Sequence, residues 1–490
     1  MRVLLRLLLG VAVLVALLAL AIWATVRPPA PLAIPQPGAV LDGVTLVEPG
    51  VSRRASVRVV VEGSSIERIE DAPPDAAGPF AGMFVLPGLV DMHVHFPPPT
   101  LPGQTELFAF LHLYHGVTTV RDAGDPDGRS TEPARRGVAE GRFPGPHVLA
   151  CGPLVDGDPP AWKSSLVART PEEGREAVRR VVEGDYDCVK AYDGLDAPTL
   201  DAIREEAHAR SLPVIGHVPR RVPFEVARLD DAQHLIGVPP PPADPAVRFP
   251  WILAQWLELD EARLDEIVAA SLRHRIAHTP TLVTLDRLVA QADRAAALRE
   301  ADALLLPRFY REVVWNPELG FPAARELGPQ GFEMVRAAQR VQLRAVKRFF
   351  DAGVELHTGT DVLIPFVVPG AGMHRELGMF VRAGLTPEQA LALSTRSSAR
   401  VLDVDGLGEL RVGAPAELAV FRDDPTRDLA ALGTLAAVVR DGRLYTREAL
   451  DAELARYREH FSGRLYEALV TPLVRRVLEA TLPKREEARS

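Results

Sequence analysis

Asp91-Met92-His93-Val94-His95 closes an apolar run that begins at Phe84 and passes through Pro87-Gly88-Leu89-Val90. In a β-strand, residues two apart point to the same side. His93 and His95 are therefore expected side by side at a strand end, where two neutral imidazoles make half of a metal site. Residues of similar chemistry recur near the ends of later apolar runs. Lys190 lies in Cys188-Val189-Lys190-Ala191-Tyr192. His217 follows Val214-Ile215-Gly216, His234 follows Ala232-Gln233, and Asp361 follows Gly359-Thr360. Charged and imidazole groups at the mouths of apolar strands are costly to bury without partners. A shared pair of metal ions would supply those partners.

Such residues need a frame that sets the ends of successive strands on one rim. Between 87 and 403, short apolar runs alternate with helical stretches. The strand candidates are 84–95, 117–121, 148–151, 188–192, 214–217, 232–234, 278–282 and 354–361, with helices such as 171–182 and 198–210 between them. Eight such units fit a (β/α)₈ TIM barrel, whose active sites lie at the C-terminal ends of the strands. The segment 283–350 is too long for one crossover helix and is expected to add helices over one end. Short β-type runs flank this middle, at 39–70 and again at 416–421 and 436–440. Asp441-Gly442 then gives a hairpin signal. The expected fold class is α/β: a barrel of 87–403 and a small β-sandwich domain of 39–86 and 404–446. An N-terminal transmembrane helix (1–27), a proline-rich linker (28–38) and a helical tail (447–490) complete the chain.

A net charge of -9 over 490 residues gives no reason to expect a nucleic-acid partner. The two cysteines, Cys151 and Cys188, exclude a disulfide scaffold and a thiolate zinc cluster; they form either one bond or two free thiols. Residues 7–26 carry no charge, a run long enough to cross a bilayer. Arg2 and Arg6 precede it, which keeps that end in the cytoplasm and sets the catalytic body on the periplasmic or extracellular face. The alternative is a signal peptide cleaved near Ala19-Leu20-Ala21, giving a secreted protein; the length of the run and Trp23 favour an anchor. A lipid bilayer is thus an expected partner, and a homo-oligomer is compatible with the composition.

Taken in order, these segments resemble the amidohydrolase superfamily in its binuclear form, nearest to the imidazolonepropionase-like and Xaa-Pro dipeptidase-like branch. The resemblance runs from about residue 39 to residue 441. It rests on the Pro-Gly-Leu-Val-Asp-x-His-x-His entry, Gly116-Val117-Thr118-Thr119-Val120-Arg121-Asp122, the lysine strand, Gly216-His217-Val218 and Gln233-His234. Gly359-Thr360-Asp361 and Ala383-Gly384-Leu385-Thr386-Pro387-Glu388-Gln389-Ala390-Leu391 complete it. The resemblance implies hydrolysis of an amide C–N bond in a small-molecule amide or dipeptide, linear or cyclic. It implies two divalent metal ions, with zinc the first candidate. His93, His95 and Asp361 would hold one and His217 and His234 the other. Lys190 would bridge them as a carbamate formed with carbon dioxide, because an ammonium cannot bind a cation and a carbamate is an anionic oxygen bridge. A metal-bridging hydroxide would attack the carbonyl, with Asp361 taking its proton.

Lactone or phosphotriester hydrolysis by the same centre is the alternative chemistry. A one-metal deaminase typically lacks the bridging lysine and carries a glutamate near the fifth strand, where this chain reads Val218-Pro219-Arg220. A non-catalytic binding protein would have lost ligands, and none is missing. Tyr192 and His374 are candidates for substrate contact. His278 and His357 are expected in the core, and Asp122 as a support of the barrel mouth. Glu417 stands where the family motif usually carries Asp.

Overall fold

In the computed structural model, residues 2–242, 247, 249–320 and 325–481 are described. The apolar run leading to the histidine pair is cut at Gly88 into two strands, Phe84–Pro87 and Leu89–Val94. The first belongs to the small sheet. It pairs in parallel with Ala39–Glu48 and antiparallel with Leu418–Phe421, so it joins strands from the two chain ends. With Ser52–Glu62, Ser65–Asp71, Leu435–Arg440 and Arg443–Thr446 they make one seven-stranded sheet. Where two sheets of a sandwich were expected, the bridging strand Phe84–Pro87 makes them continuous. One core, including Leu41, Val57, Val59, Val85, Leu418 and Val439, is shared by strands from both halves. Arg440 pairs with Arg443 across Asp441-Gly442, whose φ angles of 53° and 69° suit the tight hairpin turn.

Leu89–Val94 opens the second layer. It runs parallel to Val117–Asp122, which pairs with His147–Ala150. A further parallel sheet takes Leu154–Asp156, Val189–Ala191, Val214–Gly216, Asp231–Gln233 and Ala277–Thr279 in chain order, with Leu166–Val167 at its edge. The third strand is thus split between sheets at Cys151-Gly152-Pro153, where proline has no N–H to continue a ladder. Cys151 and Cys188 form a disulfide across this split, and the Asp187 amide donates to the Ala150 carbonyl at 2.7 Å. The eighth candidate strand is not regular. Leu356 makes a single bridge with His278, and the Thr358 carbonyl accepts from the Met92 amide at 2.9 Å, linking this segment to the first strand.

Helices alternate with these strands, among them Gln104–Tyr114, Pro171–Glu183, Ala197–His208, Glu261–His274 and Gly328–Ala352. Three begin at side-chain caps: Thr170, Asp196 and Asp260 accept from Glu173, Thr199 and Arg263 amides, satisfying donors that the first turn leaves free. The result is a TIM-barrel-like α/β body.

The N-terminal helix is Arg2–Val26, of which Leu8–Val26 is long and apolar enough to cross a membrane. The proline-rich segment after it is strapped to the body rather than hanging free. The Leu32 amide donates to Glu453 Oε1 at 2.9 Å, Arg443 Nη1 to the Pro35 carbonyl at 2.7 Å, and the Gly38 amide to the Gly442 carbonyl at 2.8 Å. The tail forms two helices, Arg447–Phe461 and Arg464–Thr481.

Candidate metal centre

The candidate ligands gather where the strands give out. His93 is the penultimate residue of Leu89–Val94, and His95 follows the strand; their ring centroids lie 5.1 Å apart. His217 and His234 come directly after Val214–Gly216 and Asp231–Gln233. The ring of His234 lies 4.3 Å from that of His93 and 5.0 Å from that of His217, so the imidazoles form a continuous row. Gly216 permits this crowding. A Cβ there would fall 2.0 Å from the Ala191 carbonyl oxygen, and its φ of 148° disfavours other residues.

Asp361 stands against this row. Its Oδ1 lies 3.5 Å from His93 Nε2 and 3.3 Å from His95 Nε2, and its Oδ2 3.7 Å from His234 Nδ1. His93, His95 and Asp361 form a group whose potential ligand atoms all lie within 4.8 Å of one another. Asp361 reaches this place through a φ of 56°, with its amide donating to the His93 carbonyl at 2.7 Å. Burial raises the Asp361 carboxyl, but the imidazoles of His234 and His95 outweigh it and hold the group at about 2.

All four histidines are oriented by the same device. His93 Nδ1 donates to Gln233 Oε1, His95 Nδ1 to the Gly124 carbonyl at 2.8 Å, and His217 Nδ1 to Asp193 Oδ1 at 2.7 Å. These oxygens only accept, so each of these three Nδ1 atoms carries a hydrogen, and Nε2 is the nitrogen left to face the centre. His234 Nδ1 bonds the Thr281 hydroxyl at 2.8 Å. Histidines that hold metals typically use one nitrogen this way to fix the other. Asp193 is itself gripped by Arg220, at 2.9 and 3.1 Å. Burial, followed by repulsion from Lys190, keeps the His93 imidazole neutral.

Lys190 is almost wholly buried, and its Nζ has no hydrogen-bond partner; neither has His93 Nε2. Burial pushes the Lys190 ammonium down to about 7, with Asp361 the main opposing charge. Unpartnered polar atoms buried at a strand mouth are rare in a finished fold.

The remaining candidates divide. The Tyr192 ring lies 4.3 Å from that of His217, and its hydroxyl accepts from Trp162 Nε1 at 3.3 Å, which sets it at the rim of the centre. His374 is turned elsewhere. It lies in the first turn of the helix Ala371–Ala383, its Nε2 donates to the His115 carbonyl at 2.9 Å, and it lines a separate cleft with His115, Arg375 and Leu435. The chain after Asp361 thus carries His374 toward the side where Leu435 of the small sheet packs. Asp122 Oδ1 lies 3.7 Å from His95 Nδ1 and supports the ring. His357 sits below, 3.5 Å from Asp231 Oδ2, which also binds Arg121 at 2.5 Å; His278 is stacked on Phe349.

Sequence reasoning did not single out Gln233, Gly124, Asp193 or Thr281 as orienting partners, nor Asp91. Asp91 is buried and accepts from the amides of His93 (3.2 Å) and Thr360 (3.0 Å) and from the Thr360 hydroxyl (2.7 Å), locking the first strand to the turn that carries Asp361. Beside His217 and His234 opens a cavity of about 400 Å³. It is walled by Val218, Leu235, Leu253, Trp256 and the four prolines 239–242, with Asp193 and Arg220 among its polar lining.

Family models described as amidohydrolase family match residues 84–228 and 260–444. Among solved structures the chain is similar to bottromycin amidohydrolase, at 24% identity and a TM-score of 0.67, over 91% of this chain and 94% of that one. It is similar to a Xaa-Pro dipeptidase with bound methionine in the active site (19% identity, TM-score 0.62, 84% of this chain, 100% of that one). It is also similar to A. niger ochratoxinase (16% identity, TM-score 0.61, 84% and 96%). These likenesses show a shared fold. No curated protein matches the chain. Fold and family models together define a class, the metal-dependent hydrolases built on an α/β barrel-like body. The chain belongs to the amidohydrolase superfamily.

Proposed function

We propose that this protein is a membrane-anchored, binuclear metal-dependent hydrolase of an amide C–N bond in a small molecule. The observation that supports the reading is the set of four imidazoles, each anchored through Nδ1 and gathered with Asp361 and the buried Lys190. His93, His95 and Asp361 would hold one divalent cation, zinc being the first candidate, and His217 and His234 the other. Lys190 would join them as a carbamate: an amine whose proton is lost near pH 7 is reactive toward carbon dioxide. Such a pair of ions polarises a carbonyl and makes water acidic enough to attack near neutral pH.

The chain's own residues do the rest. Asp361 is ionised and central, and it takes a proton from the attacking water and returns it to the departing nitrogen. Gln233, Gly124, Asp193 and Thr281 hold the rings in register. Tyr192 and the cavity walled by Leu235, Leu253 and Trp256 receive the substrate beside the scissile bond, and that apolar volume favours an amide with a bulky hydrophobic group. The strand circuit through Thr358 and Met92 supports a closed eight-stranded barrel. The disulfide fits a body outside the cytoplasm, where thiols oxidise.

The test is metal analysis joined to a substrate panel of acyl amides, dipeptides, cyclic amides, lactones and phosphotriesters. Two metals per chain and turnover of amides are expected. Preferential turnover of lactones or phosphotriesters would move the assignment to the alternative chemistry. Lys190→Ala should drop the metal content below two per chain. Its activity should fall about a thousand-fold, the scale of several kcal/mol of lost transition-state stabilisation. A Lys190→Ala protein with a full metal complement would sink the binuclear reading.

A further inference from the structure

The last helix, Arg464–Thr481, buries one row of side chains and leaves another uncovered. Tyr466, Val470 and Val474 pack into the main core. Leu465, Leu469, Leu473 and Val477, spaced four apart, are 70%, 37%, 60% and 53% exposed. Residues at this spacing lie on one face, and an exposed apolar row of this kind marks an interaction surface.

Three observations say what covers it. The helix is in contact with the N-terminal helix Arg2–Val26, the one helix among the described residues long and apolar enough to cross a membrane. The chain leaving that helix has no slack. Pro28 lies against Gly103, the Arg456 guanidinium donates to the Ala30 carbonyl, and Leu32 is fixed to Glu453, all within a few residues of Val26. The level of the membrane surface is also marked. Trp23 lies under the Arg27 guanidinium at 5.0 Å, and tryptophan and arginine at the end of a span belong at the headgroups. A body tied this closely to the exit of a span holds its outermost helix against the bilayer. Arg464, Arg475 and Arg476 on the same helix suit anionic headgroups, while Glu467 is engaged 3.7 Å from Arg308.

We propose that Arg464–Thr481 is an in-plane membrane-contact helix, whose Leu465, Leu469, Leu473 and Val477 row enters the leaflet from which the N-terminal helix emerges. The proposal rests on the reading of Arg2–Val26 as a span, and it adds a second, independent attachment. It makes the protein seated on the bilayer rather than tethered above it.

The experiment uses the full chain in vesicles of equimolar phosphatidylcholine and phosphatidylglycerol, with single spin labels on Leu14→Cys, Leu473→Cys and Arg475→Cys. The native cysteines are paired and buried and do not compete for the label. The label at 473 should be more accessible to oxygen than to a water-soluble nickel chelate, at shallow depth. The label at 475 should show the inverse ratio, and the label at 14 should lie deep in the hydrocarbon. A water-exposed label at 473 with 14 still deep overturns the membrane-contact helix and leaves the span standing. Labels at both 14 and 473 in water overturn both. A label at 473 shielded from oxygen and chelate alike, in a vesicle-bound dimer, assigns the row to a second copy of the chain and also overturns the proposal. As a second measurement, with a spin label on Val477→Cys, Leu469→Glu with Leu473→Glu should leave amide turnover unchanged and move that label from lipid into water; a label at 477 that stays in lipid contradicts the assignment.

Discussion

A metal-binding imidazole does its work only if its ring cannot turn, and here each ring is held by a different kind of acceptor: an amide, a backbone carbonyl, a carboxylate and a hydroxyl. Asp193 carries the most electrostatic weight among them, because it pairs with His217 and with Arg220 together. Asp193→Ala should weaken the binding of one metal by about 10–100-fold. Titration against a chelator measures this, and unchanged affinity would leave Asp193 a purely structural partner of Arg220. Asp361→Asn keeps the shape but loses the proton acceptor, so turnover should fall by about 10²–10⁴-fold. Single-turnover assays at saturating metal separate this from metal loss. The six candidate ligands stand out in the sequence because each is a distinctive side chain near the end of an apolar run. Their orienting partners could not. Gly124 contributes only a carbonyl, and no residue type announces that. The cleft that His374 lines was not legible either, because its order in the chain, just past the strand-eight loop, says nothing of which way the first turn of a helix will face.

At the scale of elements, period-two patterning and Gly-Pro punctuation carried most of the information. The hairpin at Asp441-Gly442 and the alternation of strands and helices follow from local chemistry that a sequence displays. Sheet membership does not. Gly88 and Cys151-Gly152-Pro153 each divide a run that reads as one strand, and which sheet takes each half depends on partners far along the chain. The irregular eighth segment is likewise set by its neighbours, His278 and Met92. Glu417 offers a test at this scale. It is half-buried between Asp441, whose amide donates to it at 2.8 Å, and the Thr118 side chain, and desolvation of its carboxyl raises it from 4.5 to about 7. Below pH 4.5 the group is protonated in both folded and unfolded chains. Between pH 4.5 and 7 the unfolded chain releases the proton while the folded one keeps it, so stability falls as pH rises and then levels off. Urea titrations should show a loss of about 2–3 kcal/mol across this window. Glu417→Gln should remove this share of the pH dependence, while Asp91 and Glu376, also raised by burial, keep theirs; a profile unaltered by that change would place the titrating group elsewhere.

At the scale of the whole molecule, the disulfide bears on both stability and the site. Cys188 shares a strand face with Lys190, and its bond to Cys151 ties that strand across the split in the third. Replacing both cysteines by serine should cost about 3–4 kcal/mol of stability for a closed loop of this length. Denaturation in detergent measures the loss, and metal analysis of the same variant reads whether Lys190 keeps its place. The small sheet has a comparable reach. Phe84–Pro87 is clamped between Ala39–Glu48 and Leu418–Phe421, and past Gly88 the same run of chain ends in His93 and His95. Sheet and centre are therefore coupled in series, like a handle and its blade. A force or a packing fault in the sheet has no hinge in which to dissipate before it reaches the first two imidazoles, so the precision of the chemistry is set in part by residues that never meet the substrate.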